Sequence, residues 1–161
     1  MGTSKSGRYP NTKGSARKMS DFSLLHSSEG RFTKPQKGDV KIRLAGGGHG
    51  QDGMDLLDKY GIPYNIEKTF SNGVRVGNIP SHKDPRKKKS MGQTWFPSNW
   101  SNKTIRAAAE HVASLNCNKG APDGKIMFGM YKGVRVGVIK TNGIIGTAFP
   151  DKMQPTIRRQ K

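Results

Sequence analysis

The spacing of apolar and polar positions changes along this chain, and each change marks an element. Val40-Lys41-Ile42-Arg43-Leu44 alternates with a period of two, as a strand with one buried face does, and runs into the loop Gly46-Gly47-Gly48-His49-Gly50. Beyond the loop Met54, Leu57 and Tyr60 recur at helical spacing. Asp52 and Asp55 suit the start of that helix, and Gly61 followed by Pro63 supplies its stop. Alternating runs at 64–70 and 74–79 flank Ser71-Asn72-Gly73, which predicts a β-hairpin. Ser101 is a good N-cap for a helix to about Leu115, with Ile105, Ala108, Ala109, Val112 and Leu115 on one apolar stripe. The last third predicts a three-stranded meander over 125–131, 134–140 and 144–149, turning at Lys132-Gly133 and Thr141-Asn142-Gly143. Strict alternation puts Ile145, Thr147 and Phe149 on one face of the third strand, where Thr147, polar between apolar neighbours, is positioned to line a site.

The first 38 residues lack such a pattern. Lys5, Arg8, Lys13, Arg17 and Lys18 precede the first acid, Asp21, and only Phe22-Ser23-Leu24-Leu25 is apolar. This predicts a basic arm over 1–38, flexible or draped on the body, then one domain over 39–154 and a basic tail over 155–161. With 161 residues, 32% hydrophobic, 21 Gly and 9 Pro, the chain suffices for one core of ordinary size. Val74-Arg75-Val76-Gly77 reappears as Val134-Arg135-Val136-Gly137, each after a glycine. Four residues are too few to distinguish a duplicated unit from two independent hairpin strands.

Charge adds what hydropathy does not. Lys and Arg number 29 against 11 Asp and Glu, a formal net charge of +18, the footprint of a polyanionic partner such as nucleic acid. Cys117 is the single cysteine, so folding does not rest on an intrachain disulfide. No stretch approaches the ~18 apolar residues of a membrane span or resembles a signal-peptide core, so export is expected only as part of something larger. The loose myristoylation pattern of Met1-Gly2-Thr3-Ser4-Lys5-Ser6 is too short to weigh against this.

Two histidines stand out. His49 lies among glycines between a strand and a helix start, where backbone N–H groups can meet a phosphate; the same glycines would also serve a tight turn in which His49 fills space. His82 follows Ile79-Pro80-Ser81 and precedes Lys83, Arg86, Lys87, Lys88 and Lys89, which lower its pKa toward the neutral form a base requires; alone it resembles a solvated surface residue. His111 sits at the edge of the long helix's stripe and reads as structural, while His26 in His26-Ser27-Ser28-Glu29-Gly30 is ambiguous. No Cys/His spacing suits zinc, no carboxylate cluster suits magnesium, and no Gly-x-Ser-x-Gly occurs, so neither a metal nor another cofactor is expected. Two imidazoles can supply base and acid for a metal-independent ribonuclease.

Five stretches carry a resemblance. They are Gly46-Gly47-Gly48-His49-Gly50-Gln51; residues 72–83, from the Asn72-Gly73 turn through Ile79-Pro80-Ser81-His82-Lys83; Gly92-Gln93-Thr94-Trp95-Phe96-Pro97-Ser98-Asn99-Trp100-Ser101; Gly133-Val134-Arg135-Val136-Gly137-Val138-Ile139; and Gly146-Thr147-Ala148-Phe149-Pro150. In this order the chain resembles the EndoU-type endoribonuclease domains found at the C-termini of bacterial polymorphic toxins. The resemblance implies an α+β fold, antiparallel sheets flanked by helices around a groove. It also implies cleavage of RNA at uridines by attack of the ribose 2′-OH on the adjacent phosphate, leaving a 2′,3′-cyclic phosphate. Carried over, His49 and His82 become the acid–base pair and Thr147 the hydroxyl residue near the base or scissile phosphate. Phe149 becomes an aromatic contact to ribose or base, and Lys83, Lys87, Lys88 and Lys89 are candidate cations for substrate. A second register pairs His26 with His49 and leaves His82 outside. An acidic immunity protein as partner, and action in a target cell's cytoplasm after delivery within a larger toxin, would follow. The competing readings are a noncatalytic RNA- or DNA-binding module, stacking bases on Trp95, Phe96 and Trp100, and a nuclease acting on DNA.

Overall fold

The computed structural model describes residues 13–34 and 41–155. The expected strand start at Val40 and all of the 155–161 tail but its first residue lie outside them. The fold is α+β. In chain order it contains α1 (Asp21–Ser28), β1 (Arg31–Phe32), β2 (Leu44–Gly46), α2 (Gln51–Lys59), β3 (Asn65–Thr69), β4 (Arg75–Asn78) and α3 (Pro85–Lys88). There follow β5 (Gln93–Trp95), α4 (Asn102–Ser114), a 3-10 turn at Asn116–Asn118, β6 (Ile126–Tyr131), β7 (Val134–Thr141) and β8 (Ile144–Pro150). Three antiparallel sheets are ordered β1-β2, β3-β4-β5 and β6-β7-β8.

The meander forms where the pattern placed it. Lys132-Gly133 and Asn142-Gly143 both take positive φ at both positions, the two-residue turn whose twist matches flanking strands. One face of this sheet carries Met127, Val134, Val136, Val138, Ile145 and Ala148 into the main core, against Ile105, Ala108, Ala109 and Val112 of α4. The Ser101 hydroxyl accepts from the Thr104 N–H and starts α4 as expected. Trp95, Phe96 and Trp100 are buried, Trp95 in a second core with Leu44, Met54, Leu57, Ile62 and Ile79, so they offer no stacking surface to nucleic acid.

Three expectations change. Ile145 does not share a face with Thr147 and Phe149: Ile139 pairs with Thr147 but Lys140 with Ile145, so Gly146 is an extra residue that reverses the alternation. Ile145 enters the core, while Thr147 and Phe149 face away from it. The strand before the glycine loop begins only at Leu44, because its partner β1 is two residues long and bulged. Residues 13–34, placed by composition in an arm, are built into the body. Met19 and Leu24 are fully buried, and Arg106 of α4 bonds the Asp21 carboxylate and the Met19 carbonyl.

Helix α1 escapes a hydropathy reading because its buried face is mostly serine: Ser23, Ser27 and Ser28 beside Leu24. These small side chains allow close approach. The Ser27 hydroxyl accepts from the Ala148 N–H of β8 at 3.0 Å, and the Ser28 hydroxyl donates to Asn102 of α4. Gly53 of α2 faces the same junction, where a Cβ would stand 2.6 Å from the Ser28 carbonyl oxygen and 2.8 Å from that of Gly48. Gly→Ala in a helix ordinarily stabilises by about 1 kcal/mol. Gly53→Ala is expected to do the opposite and destabilise by about 1–3 kcal/mol, since both obstructing atoms are backbone. Urea midpoints of the two proteins check this, and a raised midpoint in the variant refutes it.

Candidate active site

The glycine loop is shaped by α1. The N–H groups of Gly48, His49 and Gly50 donate to the carbonyls of His26, Ser27 and Ser28 at 3.0, 2.6 and 3.0 Å. A Cβ on Gly47, whose φ is +65°, would fall 1.9 Å from the His26 carbonyl oxygen. The glycines therefore admit the end of a helix. The expectation that the loop offers these amides to a phosphate is corrected, because all three are engaged in the chain's own hydrogen bonds.

This clamp and β5 together fix His49. Its carbonyl accepts from the Phe96 N–H at 2.7 Å, and its Nδ1 lies 2.8 Å from the Thr94 carbonyl oxygen. A carbonyl can only accept, so Nδ1 carries the proton and Nε2 is left as an acceptor. The residue is 4% exposed and lines a cavity of about 570 Å³ shared with Gly47, Lys87, Phe128, Thr147 and Phe149. The Phe149 ring stands 5.8 Å from the imidazole, centroid to centroid. Burial pushes the His49 pKa down to about 3, helped by the Lys87 ammonium and the fields of His26 and His82 and opposed by the Thr94 hydrogen bond. His49 is thus neutral near pH 7.

The basic loop contributes unequally. Lys87 lines the cavity, and burial lowers its pKa, with Asp84 acting against the shift. Lys83, Lys88 and Lys89 are exposed and outside the lining, so the structure separates them from Lys87. His82 is 1% exposed and also outside the lining. Its Nδ1 accepts from the Asp84 N–H at 2.8 Å, and its buried Nε2 has no hydrogen-bond partner among the described residues. Burial and Lys87 together push its pKa down to about 4 against the pull of Asp84. The Asp84 carboxylate caps α3 and pairs with Arg86 at 2.8 Å, which holds it well below the usual carboxylate range.

His26 lies at the other side of the glycine loop. It is half-buried, its ring packed where a Cβ on Gly46 would meet Cε1 at 3.2 Å, and its pKa is lowered by burial and then by Arg31. His111 is exposed, its ring 5.4 Å from that of Tyr131. Among the described residues no group of three or more His, Cys, Asp or Glu is arranged to hold a metal ion. Two contributors were missed from the sequence: Thr94, which sets the His49 tautomer through its carbonyl, and the apolar wall of Ile126, Phe128 and Ile139. Alternation along β6 and β7 carried the signal for the wall, whereas a backbone carbonyl's role has none.

The two fully buried histidines couple stability to acidity. Each has a folded pKa below its unfolded value, so the stability gained from keeping it neutral is complete above about pH 6.5. It is lost as pH falls, until about 4 for His82 and about 3 for His49. Below pH 6.5 each adds a slope of up to about 1.4 kcal/mol per pH unit. Urea unfolding between pH 7.5 and 4.5 should show this loss, and His82→Leu, less stable at pH 7.5, should show a shallower slope. Parallel profiles for the two proteins would contradict the assignment.

A family model described as bacterial EndoU nuclease matches residues 28–152, well over half of the chain. Searches of curated proteins and of solved structures each return no match. No helix among the described residues is long and apolar enough to cross a membrane. The matched span contains β1 to β8, the glycine loop, the basic loop and the cavity, and RNA is the substrate it implies. The chain belongs to the bacterial EndoU nuclease family and is an endoribonuclease.

Proposed function

We propose that this endoribonuclease cleaves RNA at uridines without a metal, by attack of the ribose 2′-OH on the adjacent phosphate, leaving a 2′,3′-cyclic phosphate and a free 5′-OH. The observation that carries the reading is the joint placement of His49, Lys87, Thr147 and Phe149 around one cavity. His49 Nε2, neutral and free to accept, takes the 2′-OH proton as general base. The Lys87 ammonium offsets charge developing on the phosphorane. Thr147 supplies a hydroxyl to phosphate or base, and Phe149 packs against the uracil or its ribose.

The general acid must touch the leaving 5′-oxygen. Neither His26 nor His82 belongs to the cavity lining, but His82 is buried with Nδ1 held, while His26 is partly exposed and packs against Gly47, which does line it. We therefore assign the acid to His26 and give His82 the role of packing the basic loop so that Lys87 reaches the cavity. The exposure of His26 and its contact with Gly47 support the pair His26–His49.

Incubation with a uridine-containing oligonucleotide in EDTA tests the assignment. His49→Ala and His26→Ala should each lose about a hundredfold or more in kcat, and Thr147→Val less. His82→Asn should lower thermal stability while retaining most cleavage at low temperature. A 2′-deoxyuridine substrate should resist cutting. Full activity of His26→Ala together with loss in His82→Asn would restore the other register, and cleavage of the deoxy substrate would end the mechanism.

We also propose that the domain is the toxic part of a delivered effector acting in a target cell's cytoplasm, with an acidic immunity protein covering the cavity. The net charge of +18 and the cationic rim of Arg86, Lys87 and Lys152 support a strongly acidic partner. Expression of the free active domain should arrest growth, and His49→Ala should relieve the arrest. Cells that tolerate the active domain without a partner would contradict this reading.

A further inference from the structure

The sheet β6-β7-β8 has a second face that the core does not use. Phe128, Gly137 and Phe149 are direct neighbours across its three strands, which at ordinary strand spacing puts Phe128 and Phe149 about 10 Å apart. The glycine between them leaves a trough into which Phe149 leans: a Cβ on Gly137 would meet its Cζ at 2.7 Å. On the far side of the trough the Arg135 guanidinium lies over the Phe128 ring at 3.9 Å and is bonded by Asp151. The Arg135 backbone is fixed as well. Its N–H donates to Gln154 at 2.8 Å and its carbonyl accepts from the Asp151 N–H at 2.9 Å. Phe128 and Asp151 line the cavity, and the Arg135 side chain is 40% exposed above them.

A guanidinium layered on a ring and pinned by a carboxylate is a flat, fixed plane whose charge is already balanced. Such a plane suits the face of a nucleobase better than a phosphate, which Asp151 would repel. We propose that Arg135, supported by Phe128 and held by Asp151, is a stacking platform for a base flanking the cleaved uridine, so that the enzyme reads a single-stranded segment longer than one nucleotide. This rests on the proposed cleavage at uridine. It assigns Arg135 to binding and leaves the proton transfers to the cavity wall.

The test uses a deoxyoligonucleotide with one ribouridine, so that cutting occurs at a single position. Flanking sites on either side are made abasic in turn, with every phosphate kept. One abasic site should lower kcat/KM of the wild-type protein roughly tenfold, as loss of a stacked base does. Arg135→Lys keeps the charge and loses the plane, and should cut base-bearing and abasic substrates equally; Phe128→Leu should halve the preference or more. Indifference of the wild type to every abasic position, or an unchanged preference in Arg135→Lys, overturns the proposal. A reduced salt slope in Arg135→Ala, with a wild type that shows no preference for the base, would mark a phosphate contact instead and overturn it equally. Affinities for the all-deoxy versions read the same platform without cleavage. A protein that failed to cut ribouridine would thus refute the proposed reaction and still report on Arg135.

Discussion

Three backbone hydrogen bonds join the last turn of α1 to the glycine loop, and the position of His49 follows from them. The carbonyls at a helix C-terminus need donors, and here Gly48, His49 and Gly50 supply them in register. The loop can run so close only because Gly47 has no Cβ to meet the His26 carbonyl, and Gly53 permits the same approach from α2. Since α1 is also bonded to β8 through Ser27 and to α4 through Asn102 and Arg106, the loop is tied through one helix to the main core. A loop of four glycines would otherwise be a poor mount for a side chain that lines a cavity.

The second support comes from β5. The His49 carbonyl meets the Phe96 N–H, the Phe96 carbonyl accepts from the Arg75 guanidinium, and Arg75 also bonds Gln51 of α2. The imidazole is thereby placed between two sheets and faces the open side of a third. That side is apolar and aromatic, whereas the edge contributed by α3 is cationic. Such a division suits a ligand with flat bases on one side and charged phosphates on the other.

How much of this the chain discloses beforehand depends on the kind of interaction. The meander and α4 were legible because their signals are local: positive-φ turns at fixed positions, one capping serine, one apolar stripe. Helix α1 was not, since serines chosen for close packing look like surface residues in a pattern of hydropathy. The sequence leaves the glycine loop open between a phosphate cradle and a tight turn, because a glycine needed for a neighbouring backbone cannot be told from one needed for a ligand. His49, Thr147, Phe149 and Lys87 were all named from the sequence and meet at one cavity. The depth of His82 and the half-exposure of His26 are tertiary facts, without a local mark to separate them.

The extra residue at Gly146 has a consequence for how this strand can vary. From Ile144 to Pro150, which side chains face the cavity and which face the core is decided by counting, and Gly146 sets the count. Deleting that one residue would leave every remaining side chain chemically unchanged. It would also close the bulge and leave Ile145 and Ala148 toward the core and Thr147 and Phe149 toward the cavity, whereas a strand that paired Gly146 in regular alternation would exchange inside and outside on one side of it. The two-residue tips at either end of β7 lie clear of the cavity lining and could be lengthened with less effect. In β8, the place of the register break decides which residues line the cavity.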